Sequence, residues 1–171
     1  MKVILTMAVS VNGIIATKDG SEDFLSNENW QQFIKLAKHT GGFVWGRKTY
    51  ENVVTWDKSY LEPLKGIKKV ILSKSDIALH DGFTLAHSPE EALDIFTKEG
   101  FKEVIITGGA TINSEFAKRG LIDEVILDVN PSIIGESVSI FAPKDFQMKL
   151  KFLNAEPLND DIIKLRYKVI K

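Results

Sequence analysis

Residues 2–11 form an almost unbroken apolar run, rich in β-branched side chains, that stops at Asn12-Gly13, a turn signal. Successive residues of a strand point to opposite faces, so a run like this has no polar face to offer water. It has to be covered on both sides, as in a parallel sheet between two layers of helices. The remaining pattern agrees. Short strand-like runs at residues 43–45, 69–72, 83–86, 103–107 and 124–129 alternate with helical patterns.

The helices have readable ends. Ser26 or Asn27 caps the first, whose apolar face is Trp30, Phe33, Ile34 and Ala37, and Gly41-Gly42 ends it. A short helix is expected over residues 48–54. Ser88-Pro89-Glu90-Glu91 starts another, with Ser88 as cap, Pro89 at the first helical position and Glu91 completing a capping box, and Gly100 ends it. A further helix is expected over residues 111–119. The tail reads differently. Residues 149–156 and 162–169 alternate apolar and polar side chains around Asn159-Asp160-Asp161, which predicts an antiparallel pair.

At 171 residues, with no composition break, repeat or low-complexity segment, the chain is read as one domain over residues 1–171. A chain of this length buries about 70% of the surface exposed when unfolded, so it needs no covalent staples. There is no cysteine, which excludes disulfides, thiol nucleophiles and a Cys-ligated zinc deaminase and suits a reducing cytoplasm. A net charge of −1 argues against nucleic acid or an anionic membrane as partner. No run approaches the roughly 20 apolar residues of a membrane span, and no signal-peptide pattern precedes the first strand. His39, His80 and His87 are scattered without metal-ligand spacing, and there is no Gly-x-Ser-x-Gly elbow.

In open α/β sheets ligands bind beyond the carboxyl ends of the strands. Three loops there carry chemistry. Gly108-Gly109-Ala110-Thr111 turns from strand to helix, where glycines let backbone N–H groups approach an anion and Thr111 adds a hydroxyl. A tight turn without a ligand is the alternative. Gly46-Arg47-Lys48-Thr49 gathers two cations and a hydroxyl at a second helix start, which suits a phosphate. The inserted Arg47 and the apolar Phe43-Val44-Trp45 exclude a P-loop. Ser73-Lys74 ends a third strand with a hydroxyl and an ammonium. No Gly-x-Gly-x-x-Gly is present. The polar stretch from Asn12 to Asn29 is long enough for a functional lid and carries Asp19, Glu22, Asp23 and Glu28. A carboxylate there could donate a proton if an apolar cleft raised its pKa. Trp30, Trp45 and Trp56 suit a core or a pocket wall.

These motifs together resemble a known family. Ala8-Val9-Ser10-Val11-Asn12-Gly13-Ile14-Ile15-Ala16 is similar to the A-x-S-x-D/N-G-x-I-A signature of reductases like the C-terminal half of the bifunctional riboflavin-biosynthesis protein RibD. Residues 107–112, residues 120–125 and the loop Pro131-Ser132-Ile133-Ile134-Gly135 match the same family in order. Gly46-Arg47-Lys48-Thr49-Tyr50-Glu51 resembles dihydrofolate reductase, which shares the fold.

The resemblance implies a dihydrofolate reductase-like α/β fold: a mostly parallel central sheet flanked by helices, with antiparallel C-terminal strands. It implies NADPH as cofactor. Gly46, Arg47, Lys48 and Thr49, with Gly108, Gly109, Ala110, Thr111 and Ile112, would hold its pyrophosphate region. Ser73 and Lys74 would meet the adenosine 2′-phosphate, and Ala8, Ile14 and Ile15 would border the nicotinamide. The Gly108–Gly109 peptide would be cis. On the substrate side Glu28 and Asp23 are the catalytic candidates, and Asn12, Ser26, Asn27 and Glu136 would contact substrate. The carboxylate that dihydrofolate reductases place on the first helix falls on Glu28, with Asn29 or Trp30 as alternatives for that place. The implied activity is reduction of a pyrimidine ribosylamine phosphate. Dihydrofolate reduction and a non-catalytic nucleotide-binding role are the alternatives. A homodimer through the C-terminal strands completes the expectation.

Overall fold

A computed structural model describes residues 1–171. The first apolar run is β1 (Lys2–Ser10), and it lies inside an eight-stranded sheet. Its neighbours are β6 (Glu103–Ile106) and β7 (Glu124–Asn130), both parallel to it. Beyond β6 come β3 (Gly42–Gly46), β4 (Lys68–Leu72) and β5 (Phe83–Ala86), also parallel. Beyond β7 the direction reverses. β10 (Ile163–Ile170) pairs antiparallel with β7, and β9 (Lys149–Pro157) closes the edge antiparallel to β10.

Two apolar layers cover the sheet, as the unbroken run in β1 requires. Val3 and Leu5 point to one side, with Val44, Val70 and Val104. There they meet Phe96 of α4 (Pro89–Lys98) and Phe116 of α5 (Ala110–Lys118). Ile4 points to the other side, with Phe43, Trp45, Ile71 and Ile105, beneath Ile34 and Ala37 of α1 (Asn27–Thr40) and Tyr50 and Val53 of α2 (Arg47–Val53). Each fully buried Phe or Ile contributes about 2 kcal/mol relative to exposure.

The helix ends match the sequence signals, with changes of detail. Ser26 caps α1, and its backbone N–H donates to Asn29 Oδ1 at 3.0 Å. Gly41 alone ends α1, at φ +79°, where a side chain would be strained. Gly42 already belongs to β3, and Phe96 presses against it where a Cβ would stand. At α4, Ser88 Oγ accepts the Glu91 N–H, while the Glu91 carboxylate reaches back to the N–H of His87, one residue before the cap.

Three pieces carried no clear signal. α3 (Lys58–Leu61) with the 3₁₀ turn Glu62–Leu64 follows α2. β8 (Ser137–Ser139) pairs with β2 (Ile14–Thr17) in a separate two-stranded sheet, so the stretch after Asn12 is part strand. The tail is the predicted antiparallel pair. Asn159 Oδ1 accepts the N–H groups of Asp161 and Ile162 and so closes the turn. No helix is long and apolar enough to cross a membrane.

Candidate active site

The parallel strands β1, β3 and β6 end on one side of the sheet, and the loops that follow them meet there. Gly46 N–H donates to Gly108 O at 2.8 Å. A Cβ on Gly46 would stand 3.1 Å from Ile112 Cγ2, and one on Gly108, at φ +87°, would stand 3.3 Å from Met7 Cε. Only glycine lets these turns approach so closely. The Gly108–Gly109 peptide is cis. Arg47, at the start of α2, places Nη1 3.4 Å from Ser75 Oγ, beyond the end of β4. His87 Nδ1 lies 3.0 Å from Ser73 O. Three loops distant in sequence thus meet along one ridge, where Arg47 faces Ser75 through Nη1 and pairs with Glu51 through Nε at 2.6 Å.

Next to this ridge lies a cavity of about 860 Å³. Thr6, Met7 and Ala8 of β1, Thr107-Gly108-Gly109, and Thr49 with Asn52 of α2 line one side. The opposite side is the polar segment from Gly20 to Asn27, with Asn29, Trp30 and Phe33 of α1. Trp30 lies 5.1 Å from Phe33, 5.6 Å from Trp56 and 5.9 Å from Tyr60 between ring centroids, so one wall is aromatic. Such a wall suits a flat ring.

The expected site residues divide. Ala8, Ile15, Thr49, Gly108, Gly109, Asp23, Ser26 and Asn27 line the cavity. Gly46, Arg47, Lys48, Ser73, Lys74, Ala110, Thr111 and Ile112 belong to the three loops and the helix starts behind them. Ile14 sits in β2, opposite Ser139, and does not line the cavity. Asn12 has a tying role. Its Nδ2 donates to Ile134 O, and its Oδ1 accepts from Ser10 Oγ and Ile134 N–H, which pins the loop after β7. Glu136 pairs with Lys18 at 2.7 Å on the exposed surface. Glu28 does not line the cavity either. Its carboxylate accepts from Gln32 Nε2 at 2.7 Å, one turn along α1. Helical geometry sends it toward Gln32, and Asn29 and Trp30 face the cavity in its place.

The buried acid in the cavity wall is Asp128, in the middle of β7 and in register with Ala8 of β1. It is 6% exposed, and its Oδ1 has no hydrogen-bond partner. Lys164 Nζ of β10 stands 3.9 Å from that oxygen, too far for a hydrogen bond. Lys164 donates instead to Gln32 Oε1 at 2.7 Å. Burial pushes the Asp128 carboxyl up to about 6 from an ordinary 3.8, against the pull of Lys164, and the like charges of Glu28 and Glu156 add to the rise. Asn29, 7% exposed, also leaves its Nδ2 unpartnered. Glu22 keeps an exposed side chain at the mouth, where neighbouring atoms displace enough water to raise its carboxyl. Asp128 had a signal that the motif reading missed: a lone acid inside an apolar strand is almost never buried without a partner unless it serves a purpose.

The family described as RibD C-terminal domain matches the chain over residues 1–164. Solved structures that share the fold include these three. One, from Shewanella sp. PV-4 and named for a suspected role in riboflavin biosynthesis, superposes with TM-score 0.81 at 24% identity and covers 100% of both chains. A diaminohydroxyphosphoribosylaminopyrimidine deaminase/5-amino-6-(5-phosphoribosylamino)uracil reductase from Thermotoga maritima gives 0.76 at 17%, covering 99% of this chain and 56% of its own. Dihydrofolate reductase from Enterococcus faecalis, complexed with NADP(H), gives 0.77 at 15%, covering 99% and 97%.

Proposed function

The chain belongs to the RibD C-terminal domain family, and on that premise we propose that it is an NADPH-dependent reductase of a pyrimidine ribosylamine phosphate. One observation carries the reading: the glycine turns at Gly46 and Gly108-Gly109 abut, and Gly108-Gly109 borders a cavity with an aromatic wall and a buried acid. Glycine at positions 46 and 108 lets the two turns close on Ile112 and Met7, which brings the starts of α2 and α5 together, where backbone N–H groups would meet a pyrophosphate. Arg47 Nη1 and Ser75 Oγ, 3.4 Å apart, with Lys74 next to Ser75 in sequence, would supply a guanidinium, a hydroxyl and an ammonium to a phosphate monoester, while Ser73 Oγ is engaged with Ser75 O and Arg47 Nε with Glu51. The adenosine 2′-phosphate of NADPH is assigned there, and with it Arg47, which the resemblance had placed at the pyrophosphate and which its approach to Ser75 moves to this end.

Bound NADPH would supply a hydride. The chain's own work is then binding, orientation and exclusion of water. Thr6, Met7 and Ala8, which line the cavity from β1, would underlie the reacting carbon. Trp30 and Trp56 hold a flat pyrimidine, and the segment from Gly20 to Asn27 shields it. Glu28 lies outside this cavity, which removes the helix carboxylate on which a dihydrofolate reading would depend.

The protein is further assigned to the cytoplasm, as its lack of cysteine suits, and to a homodimer. The edge strand β9 exposes Leu150, Phe152 and Leu153, and the adjoining β10 exposes Ile163 and Ile170, a surface that a second copy would cover.

The test is calorimetric titration with NADPH and with NADH, then the loss of reduced-nicotinamide absorbance on adding 5-amino-6-(5-phosphoribosylamino)uracil. NADPH is expected to bind at least tenfold more tightly than NADH. Arg47→Ala should weaken NADPH by about 10- to 100-fold, the value of a charge-assisted hydrogen bond, and leave NADH nearly unchanged. Failure to bind either nucleotide refutes the reading.

A further inference from the structure

The cavity wall holds two polar atoms with nothing to bind, and they come from different elements. Asp128 Oδ1 projects from β7 and Asn29 Nδ2 from α1, both residues line the cavity, and both are more than nine-tenths buried. Leaving either atom unsatisfied this far from water is destabilising, which a structural role does not explain. The ion pair that Asp128 makes is a long one, without a hydrogen bond. Lys164 Nζ at 3.9 Å sits behind it and is engaged with Gln32. The other charged groups that act on it are Glu28 of α1 and Glu156 of β9, both of its own sign. From β1 the neighbour in register is the neutral Ala8.

We propose that Asp128 is the proton donor of this cleft, with the Asn29 amide of the same cavity wall anchoring the substrate, so that the acid comes from strand β7 and not from helix α1. The inference rests on the reductase reading above. The step is the reduction of a C=N bond, which the ribosylamine presents once its ring C–O bond breaks and the amine N–H proton passes to that oxygen. A hydride from reduced nicotinamide forms the new C–H bond, and the C=N π bond breaks. Its electron pair moves to nitrogen, which takes the Asp128 proton. The products are an amine, oxidised nicotinamide and an Asp128 carboxylate. Lys164 steadies that carboxylate, which regains a proton from water at the cavity mouth. A neutral carboxyl is what a donor needs, and desolvation supplies it near pH 6. The Asn29 amide, as a fixed donor, suits a ring carbonyl of the pyrimidine.

The test uses the full chain loaded with NADPH, with 5-amino-6-(5-phosphoribosylamino)uracil as substrate probe. Asp128→Asn is expected to keep NADPH affinity and to lower kcat about 100-fold or more, the usual value of general acid catalysis. Wild-type kcat should fall as pH rises above about 6, and that limb should vanish in Asp128→Asn. Asp128→Glu should restore part of the rate and the limb. A carbon NMR signal from the Asp128 carboxyl, assigned by its loss in Asp128→Asn, should titrate near 6 and shift when the probe is added. An unchanged pH profile in Asp128→Asn overturns the proposal. If the wild type binds NADPH but does not reduce the probe, the carboxyl signal decides, and a signal that the probe does not move overturns it. Loss of NADPH binding by the wild type refutes the reductase reading itself, a distinct outcome.

Discussion

Replacing Asp128 by Asn should make the protein more stable, and by an amount that depends on pH. Burial holds the carboxyl neutral up to about pH 6 in the folded chain, against 3.8 as its ordinary value. Below 3.8 the group is protonated in both states and nothing is lost. Between 3.8 and about 6 only the unfolded chain ionises, and each step upward favours unfolding. Above about 6 both states ionise and the loss levels off. At about 1.4 kcal/mol per pH unit, the displacement costs the wild type about 3 kcal/mol at neutral pH. The pull of Lys164 is already contained in that displacement. Asparagine has nearly the same shape and no charge to desolvate. Urea unfolding of both proteins should therefore show the variant's advantage growing by about 2 kcal/mol between about pH 4.5 and about pH 7.5. An advantage that stays flat with pH, or a wild type that gains relative stability as pH rises, would refute the argument that Asp128 is desolvated without a hydrogen-bonded partner. A group found to cost this much stability, and to limit turnover when removed, would belong to the site and not to the scaffold.

Other outcomes follow from the packing. Gly42→Ala would put a Cβ 2.3 Å from Phe96 Cε1, and the ring is fully buried and packed edge-on against Phe101. The overpacking should cost about 2 kcal/mol or more, beyond the gain of under about 1 kcal/mol from a stiffer unfolded chain, and thermal unfolding would register it. Light scattering should find a dimer, and Phe152→Lys on the β9 edge should convert it to a monomer that keeps NADPH affinity. A monomeric wild type would remove the dimer.

Much of the architecture was legible because its causes are local. The doubly apolar run of β1, the Ser88-Pro89 start of α4 and the alternation of the tail each act within a few residues, through steric and hydrogen-bonding preferences that tertiary packing did not override. The three glycine-, cation- and hydroxyl-bearing loops were legible for a topological reason. Parallel strands joined by helices bring their carboxyl ends to one edge wherever they sit in the order.

The substrate side was not local. Glu28 and Asn29 are adjacent in sequence, yet a helix turns successive side chains by about 100°, so one bonds Gln32 and the other meets the cavity. Asp128 reads as an interruption in an apolar strand until β1, α1 and β10 surround it and remove its water. Likewise the approach of Arg47 to Ser75 depends on β3 and β4 lying side by side. By itself the sequence determined which segments are strands and helices and which loops gather at the sheet's edge, since those follow from periodicity and chain direction. Only the tertiary structure decided which acid is buried in the cleft, because desolvation is a property of everything packed around a side chain and not of its neighbours in the chain.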